Sequence, residues 1–255
     1  MTDTPVSIGV AGALGPAVIA QIAAATEEAG LYALWVNDTP GGDALSALHE
    51  AARATEHLVL GTGVIPLDRV TPDEILARAD GLPEDRLMLG IGSGQASGPV
   101  LAAVRNAVDT LRGRTGAGIV VGALGPKMRA LAAEAADGML LNWLPVQAAA
   151  AQSAEAHASA PGAHVALYVR TALGEDGMPR LRTEAERYGR APKYAANFAR
   201  LGVEAIDTVI TPTTAPDMLA AYRSAVDEVV LRAMVASDGL EAYLRFVASA
   251  GELAR

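Results

Sequence analysis

Short apolar runs alternate with helix-like stretches from one end of this 255-residue chain to the other. The runs are continuously apolar, which is typical of parallel strands buried on both faces of a sheet. Eight strand–helix pairs predict a TIM barrel, (β/α)8, that occupies residues 1–255 as one domain. An open doubly wound sheet with some strands misassigned is the competing interpretation, and Ile206–Ile210 fits either an extra strand or part of a helix. The predicted strands are Val6–Val10, Ala33–Asn37, Leu58–Val64, Leu87–Gly92, Gly118–Gly122, Met139–Asn142, His164–Thr171 and Asp227–Leu231.

Charge and composition exclude several classes of function. The chain has 20 Lys and Arg against 29 Asp and Glu, so a net charge of −9 gives it no electrostatic reason to bind nucleic acid or anionic lipid. It has no cysteine, which excludes disulfides, thiolate nucleophiles and iron–sulfur clusters. No signal peptide and no membrane span is visible, so we expect a cytoplasmic protein. The four histidines form no i, i+4 pair, and no metal site is expected.

The carboxyl ends of barrel strands carry the function of this architecture. Here those ends are rich in glycine and small polar residues and poor in acids, bases and metal ligands. Such a rim suits a planar cofactor with a phosphate tail better than it suits a hydrolytic site. The candidate cofactor-binding residues are Gly61, Thr62, Gly63, Val64, Gly92, Ser93, Gly94, Gly122, Ala123, Gly125, Pro126, Lys127, Met128 and Asn142.

Gly125–Met128 is the most informative short motif. Gly125 suits a helix cap and Pro126 suits the first helical position, where its missing N–H costs nothing. The free amides of that turn, together with the charge of Lys127, could hold a phosphate, although a plain strand-to-helix turn explains the motif equally well. The Gly92–Gly94 turn could share the phosphate, and the glycines of Gly61–Val64 indicate either a close approach to a ligand or barrel-corner geometry.

Few side chains at this rim could act on a substrate. Asp38 is the best acid, beside Asn37, and either of them could orient a reactive ring, but Asp38 also opens a turn-forming stretch. Trp143 could stack on a ring or simply be buried. Arg170 and Arg232 could contact an acidic cofactor tail or pair with carboxylates. The polar segment Gly174–Arg190 is either a solvated loop and helix or a lid.

Five stretches resemble the bacterial luciferase-like flavin-dependent oxidoreductases, which include users of the deazaflavin coenzyme F-420. The part from Gly122 to Asn142 is most similar to the methylene-tetrahydromethanopterin reductase branch. The five stretches are Ala33–Asp38, Ala52–Pro72, Arg86–Gly94, Gly122–Asn142 and Val226–Leu231.

The resemblance implies an oxidoreductase with coenzyme F-420 or FMN in the barrel mouth and a small-molecule substrate. It implies a non-prolyl cis peptide bond at Gly63–Val64 and a cofactor phosphate between Gly92–Gly94 and Gly125–Lys127. It also implies a homodimer formed through the helices near Asp43–Thr55 and Thr71–Asp80.

Two features depart from the family pattern. Only 23 residues separate Gly94 from the fifth strand at Gly118, so the family's long insertion after the fourth strand is missing. No strand end carries a histidine suited to act as a base. A flavin-binding protein without turnover is therefore the alternative hypothesis. A Schiff-base barrel enzyme is a third, but it needs a buried lysine on a strand, and neither Lys127 nor Lys193 is placed on one.

Overall fold

The fold was analysed in a computed structural model, which describes residues 4–255. The strands are β1 (Val6–Ala11), β2 (Ala33–Asn37), β3 (Val59–Thr62), β4 (Ile65–Pro66), β5 (Leu87–Gly92), β6 (Gly118–Gly122), β7 (Gly138–Asn142), β8 (His164–Thr171) and β9 (Glu228–Ala233). The α-helices are α1 (Pro16–Glu28), α2 (Ala44–Ala54), α3 (Pro72–Ala79), α4 (Val100–Arg112), α5 (Pro126–Ala135), α6 (Val146–Ser159), α7 (Met178–Arg190), α8 (Pro192–Leu201), α9 (Ala215–Arg223) and α10 (Leu240–Ala254). Short 3-10 helices lie at Gly12–Leu14, Glu84–Arg86, Glu175–Gly177 and Ala205–Thr208.

The strands form a closed parallel barrel of eight strands, which confirms the predicted TIM barrel. The order is β3-β2-β1-β9-β8-β7-β6-β5-β4, and pairing of β3 with β5 closes the cylinder. The third barrel strand consists of two segments, β3 and β4, with the cis peptide bond Gly63–Val64 between them, as the family resemblance implied.

Local sequence chemistry sets several helix starts. Thr71 and Glu74 form a capping box at the start of α3, where Pro72 occupies the first helical position. The Asp43 carboxylate caps α2 by accepting a hydrogen bond from the Ser46 amide at 2.9 Å. These signals are readable from the sequence, so the predicted helices Asp43–Thr55 and Thr71–Asp80 match α2 and α3 with their capping residues.

Large side chains fill the inside of the barrel. Trp35 and Tyr168 are buried there among small apolar residues. Glu228, 1% exposed, accepts hydrogen bonds from the Trp35 indole at 2.7 Å and from His164 Nε2 at 2.7 Å. A buried carboxylate needs such partners because its charge has left water. The lower half of the barrel is therefore a packed polar and aromatic core, and ligand space is confined to its mouth.

A roof formed by α7 and α8 covers part of the mouth. Both helices follow β8, and they pack on the ends of the last strands through Leu181, Phe198 and the buried Trp143. The segment Gly174–Arg190 is a 3-10 turn and a helix that is exposed over most of its length, as one of the two interpretations predicted, and it packs on the barrel through the buried Leu181 and Ala185. The helices that cover part of the mouth therefore follow β8 in the chain.

The segment around Ile206 shows why its assignment was ambiguous. It forms the 3-10 helix Ala205–Thr208, and Ile210 then makes a single parallel bridge to Thr171. The helical interpretation is therefore confirmed for residues 206–208, where the helix is of the 3-10 type, and the strand interpretation is wrong apart from the single bridge at Ile210. Among residues 4–255, none of the helices is both long and apolar enough to cross a bilayer.

Candidate cofactor site

The barrel brings most of the predicted site residues to one face. Asn37, Thr62, Gly92, Gly122 and Asn142 each end a strand of the same parallel sheet. The carboxyl ends of parallel strands in a closed barrel meet at one mouth. The strand ends that the sequence predicts for the rim therefore lie at one end of the barrel, although Thr62 and Gly92 are buried there. Gly125, Pro126, Lys127 and Met128 begin α5 directly above the end of β6.

The backbone at Gly63–Val64, which joins β3 to β4, forms part of the mouth. Asn37 Nδ2 donates a hydrogen bond to the Gly63 carbonyl, and the Gly63 amide donates to Val36 at 2.8 Å. Asn37 Oδ1 is buried and has no hydrogen-bond partner among residues 4–255. An unpartnered buried acceptor in a half-buried side chain is a place where a ligand N–H could bind.

Several glycines of the rim make room for the protein's own side chains. A Cβ on Gly61 would lie 2.5 Å from the Trp35 ring, and one on Gly63 would lie 2.6 Å from the Tyr168 hydroxyl. A Cβ on Gly92 would meet Val64 at 2.7 Å. Real Cβ atoms do not approach other atoms so closely, so glycine is needed at these positions for packing alone. The close approach of the Trp35 and Tyr168 rings is therefore sufficient to explain Gly61 and Gly63.

Thr62 is likewise used inside the protein. Its hydroxyl is fully buried, donates to the Gly90 carbonyl at 2.9 Å and accepts from the Gly90 amide at 2.8 Å. The side chain therefore joins β3 to β5, where the two barrel strands meet. Its buried hydroxyl is therefore not available to bind a cofactor.

The first turn of α5 has the features expected of an anion site. Gly125 is the N-cap residue, Pro126 follows it, and a Cβ on Gly125 would meet open space. Lys127 is exposed and makes no hydrogen bond or ion pair within residues 4–255. A helix start with a free cation and free space beside it attracts phosphate groups. Ala123 is buried and Met128 packs against the barrel core, so neither offers a polar contact.

The Gly92–Gly94 turn is less free. Gly94 has a φ of 58°, in the left-handed region, and a Cβ there would collide with the Asp68 carboxylate. Asp68 Oδ2 accepts a hydrogen bond from the Gln95 amide at 2.8 Å. The Gln95 amide is therefore already bound to the Asp68 carboxylate, whose negative charge would also repel a phosphate. The turn is thus a weaker phosphate site than the sequence suggested. Ser93 at its centre stays half-buried.

Two basic residues of α8 reach these same loops, and sequence reasoning missed both. Lys193 Nζ donates to the Gly94 carbonyl at 3.0 Å, and Arg200 donates to the Leu124 carbonyl at 3.3 Å. The one available signal was the scarcity of lysine, since Lys127 and Lys193 are the only two in the chain. Both lie on exposed helical turns, so a buried Schiff-base lysine on a strand is not found at either position.

An arginine–carboxylate pair fastens the roof to the barrel. Arg170 Nε donates to Glu184 Oε1 at 3.0 Å, and the guanidinium lies 4.3 Å from the centroid of the Trp143 ring. Burial of Glu184 opposes its ionisation, but the charges of Arg170 and then Arg232 hold its pKa below the usual value. Arg170 also donates to Asn142 Oδ1, so Asn142 is committed to the protein on that side.

This cluster decides between alternatives left open by the sequence. Arg170 pairs with a carboxylate, and Trp143 is a buried aromatic packed against Tyr188 at 5.0 Å between ring centroids. Arg232 forms no ion pair among the described residues, and it donates a hydrogen bond to the Ala233 carbonyl at 2.9 Å.

Asp38 lies just before the Thr39–Gly42 turn and is held by Arg69. Its carboxylate side chain is 5% exposed and lies 3.3 Å from Arg69 Nη2, which also donates to the Asp38 carbonyl at 2.6 Å. Burial raises the pKa of Asp38, and the Arg69 charge offsets only part of that rise. The arrangement favours a structural role, while the raised pKa is compatible with a weak acid at the rim.

The space at the mouth limits what can bind without movement. A cavity of about 140 Å³ lies at the ends of β1 and β9, beneath α7, and it is lined by Arg180, Glu184, Arg232 and Tyr243. Ligand pockets usually measure about 300–1,000 Å³. The donors of the α5 turn fit an acidic cofactor tail, and the unpartnered acceptor Asn37 Oδ1 fits a ring N–H. The cavity of about 140 Å³ is by itself smaller than a usual ligand pocket.

Comparisons with known proteins agree with this fold. The model of the luciferase-like monooxygenase family matches residues 5–115. A relative from Mycobacterium tuberculosis (strain ATCC 25618 / H37Rv) carries the provisional name coenzyme F420-dependent oxidoreductase Rv3520c; it is 30% identical over 54% of this chain. The match spans about half the length of that relative, 54%.

Solved structures of low sequence identity share the barrel over almost the whole chain. The coenzyme F420-dependent tetrahydromethanopterin reductase of Methanopyrus kandleri has a TM-score of 0.74 at 15% identity and covers 98% of each chain. The oxygenating constituent of 3,6-diketocamphane monooxygenase from Pseudomonas putida, in complex with FMN, has a TM-score of 0.67 at 11% identity; the match covers 95% of this chain and 96% of that one. The family model thus matches less than half of this chain, and the solved structures show that the chain shares their barrel fold.

Proposed function

We propose that the protein is an oxidoreductase that binds coenzyme F-420 or FMN at the barrel mouth and acts on a small-molecule substrate. The observation that carries the proposal is the free first turn of α5, with Gly125 open and Lys127 unpaired, at the mouth of a luciferase-like barrel. The relative from Mycobacterium tuberculosis is named for coenzyme F420, and the Pseudomonas putida structure contains FMN. These names support both cofactors and leave the choice to experiment.

Named residues would divide the work of holding the cofactor. Lys127 and the first-turn amides of α5 would hold the phosphate, and Val64 and Asn37 would face the ring. A bound flavin or deazaflavin supplies the hydride chemistry, and the protein supplies position and electrostatics. Asn37 Oδ1, which lacks a partner in the fold, would gain one from a ring N–H. The roof would exclude water from the mouth once it closes.

A non-catalytic flavin-binding protein is the second candidate, and a specific observation favours it. Asp38 is paired with Arg69, and Glu184 is paired with Arg170, so the carboxylates at the rim are already engaged. Photometric assays separate the two candidates. A bound cofactor that is reduced and reoxidised by donors and acceptors supports the enzyme, and a bound cofactor that never turns over supports the carrier.

Titration of the protein with each cofactor, followed by fluorescence quenching, tests the proposal. Lys127→Ala is expected to weaken cofactor binding by about 1–3 kcal/mol, the range of a hydrogen bond to a charged group. Arg245→Ala, which removes an exposed charge from α10, serves as the control and leaves binding unchanged. Unchanged affinity in Lys127→Ala would remove Lys127 from the phosphate site.

We further propose that residues 1–255 act as one domain, in the cytoplasm, as a homodimer through α2 and α3. Light scattering measures the mass in solution, and a monomeric mass at micromolar concentration would contradict the homodimer. Cell fractionation tests the location.

A further inference from the structure

A pocket of about 460 Å³ lies between α7, α8 and the turn at residues 203–206. Its floor is apolar and consists of buried side chains, Ala185 of α7, Phe198 of α8 and Ala205 of the following 3-10 helix. The volume falls within the range of about 300–1,000 Å³ that is usual for small-molecule sites, whereas the cavity at the barrel mouth is smaller. The space between the two roof helices is therefore large enough for a ligand of its own.

The pocket lies on other faces of α7 and α8 than those that meet the barrel mouth. Successive residues of an α-helix are turned by about 100°, which places Arg182 and Gly189 of the pocket on one flank of α7 and Glu184 on the opposite flank. On α8, Phe198 of the pocket and Lys193, which contacts the loop after β5, are likewise on opposite sides. The pocket is thus separate from the proposed cofactor site.

The walls of the pocket expose apolar surface. Ile206 is 39% exposed, although large apolar side chains of the described residues are mostly buried. A Cβ on Gly189 would meet open space. Covering such surface is favourable, since each apolar group that leaves water contributes to binding. A ligand with an apolar body fits these walls.

The rim of the pocket favours a small molecule over a protein partner. Its exposed residues Arg182, Glu186 and Glu204 are charged, so the apolar surface ends at the edge of the pocket. A stable protein interface buries about 800 Å² on each partner and contains a wider apolar patch than one side chain over a pocket floor.

One charged group of the rim is free to bind a ligand. Glu186 lies 3.4 Å from Arg190, and the Glu204 side chain accepts a hydrogen bond from the Asp207 amide. Arg182 is exposed and has no hydrogen bond or ion pair within residues 4–255. A guanidinium binds a carboxylate through two parallel N–H bonds, and the carboxylates of the rim already have partners.

We propose that this pocket binds a small molecule with an aromatic or similarly apolar body and a single carboxylate. The body lies on Phe198 and Ile206, and the carboxylate lies at Arg182. Because the molecule contacts α7 and α8 together, it restrains the roof, whose helix α7 carries the Glu184 contact to the barrel. The proposal depends neither on the cofactor nor on the substrate of the proposed function.

Three probes that share one ring system test the chemical class. The full chain is titrated by calorimetry with 2-naphthoate, with the neutral 2-naphthylmethanol and with the cationic 2-naphthylmethylamine. Naphthoate is expected to bind at least about threefold more tightly than either other probe, a modest factor because Arg182 is exposed. Arg182→Gln should weaken naphthoate about three- to tenfold and should change the affinity of the alcohol less than about twofold. Arg245→Gln, which removes an exposed arginine without an ion pair from α10, is the matched control.

A second pair of variants tests the place of binding. Gly189→Leu puts a large side chain into open space at the pocket and should weaken all three probes at least about tenfold. Gly162→Leu also points into open space, but it lies in a turn away from the pocket, and it should leave binding unchanged. Hydrogen exchange of the wild type with naphthoate should slow in α7, in α8 and at residues 203–206. If Gly189→Leu loses its fold by circular dichroism, Arg182→Gln and the exchange pattern carry the test.

Four results would overturn the proposal. Naphthoate that does not bind, or that binds equally well to Gly189→Leu, shows that the pocket is not its site. Naphthoate that FMN or coenzyme F-420 displaces lies at the barrel mouth instead. Tighter binding of the alcohol or the amine rules out the carboxylate class. A wild-type dimer that dissociates in Ile206→Asp, measured by light scattering, shows that a second copy of the chain covers the pocket.

Discussion

The contact between Glu184 and Arg170 fastens the roof, and its removal has a calculable consequence. Arg170 has a side chain that is 4% exposed, and Glu184, at 3.0 Å, has one that is 16% exposed. Glu184→Ala leaves a buried guanidinium without its carboxylate. Loss of one partner from a buried ion pair costs about 3–5 kcal/mol. In this variant Arg170 still contacts Asn142 and the rings of Trp143 and Tyr188, which offset part of the loss. We therefore expect Glu184→Ala to lower the free energy of unfolding by about 2 kcal/mol.

A second glutamate of the same helix provides the control. Glu186 lies 3.4 Å from Arg190, and the two side chains are 66% and 81% exposed. Exposed pairs of this kind contribute little, so Glu186→Ala should change stability by less than about 0.5 kcal/mol. Both substitutions replace glutamate by alanine within α7, so the change in helix propensity is the same in each.

Urea unfolding and thermal unfolding measure the difference between the two variants. Glu184→Ala is expected to lower the melting temperature by about 4–8 °C, at about 2–4 °C per kcal/mol for a protein of this size. Hydrogen exchange should increase first in α7 and α8, since these helices lose their tie to the barrel. Equal stability of the two variants, with no added exchange in the roof, would refute the idea that this pair holds the roof in place.

Three further predictions concern the barrel core and the pH dependence of stability. Gly61→Ala should cost about 1–3 kcal/mol by urea unfolding, because its Cβ would lie 2.5 Å from Trp35, whereas Gly162→Ala, which faces open space, should be nearly neutral. Burial by itself would lower the pKa of His164, but the hydrogen bond and charge of Glu228 raise it above its usual value. Protonated His164 therefore stabilises the folded protein. This stabilisation is complete below the unfolded pKa of histidine and is lost as pH rises through the folded pKa. As pH rises above the unfolded histidine pKa of about 6.5, wild-type protein should lose stability relative to His164→Gln, and parallel pH profiles would contradict this. Thr62→Val should destabilise the protein by about 1–3 kcal/mol through the lost Gly90 bonds, and equal stability would show that these bonds contribute nothing.

The barrel and its rim were predictable because their signals are local. Continuous apolar runs mark the buried strands, and Gly125 with Pro126 marks the start of α5 whatever the rest of the chain does. Asn37 and Asn142 follow from the same reading, since a residue that ends a strand of a parallel barrel must lie at its mouth.

The remaining features depend on contacts between distant parts of the chain. Lys193 lies 99 residues from Gly94, its hydrogen-bond partner, and nothing in the sequence around either residue indicates the contact. Gly61 and Gly63 were visible in the sequence, but the reason for glycine at these positions was not. Room for a ligand and room for Trp35 or Tyr168 both require a missing Cβ, so the residue type alone could not distinguish them.

The charged residues of the mouth were ambiguous for a related reason. Arg170 and Arg232 were equally good candidates for binding an acidic tail, and only the placement of α7 shows that Glu184 takes the first of them. The missing insertion after the fourth strand suggested an uncovered mouth. Cover arises instead from α7 and α8, whose packing on Trp143 is a tertiary property.

A crystal structure of the protein grown with coenzyme F-420 tests the central claim most directly. We predict electron density for the ring at the barrel mouth, next to Val64 and Asn37, with the phosphate at the α5 turn beside Lys127 and the roof shifted outward. Density for the ring at the opposite end of the barrel or in an outer groove would contradict the account, and so would a roof unchanged over an empty mouth at saturating cofactor.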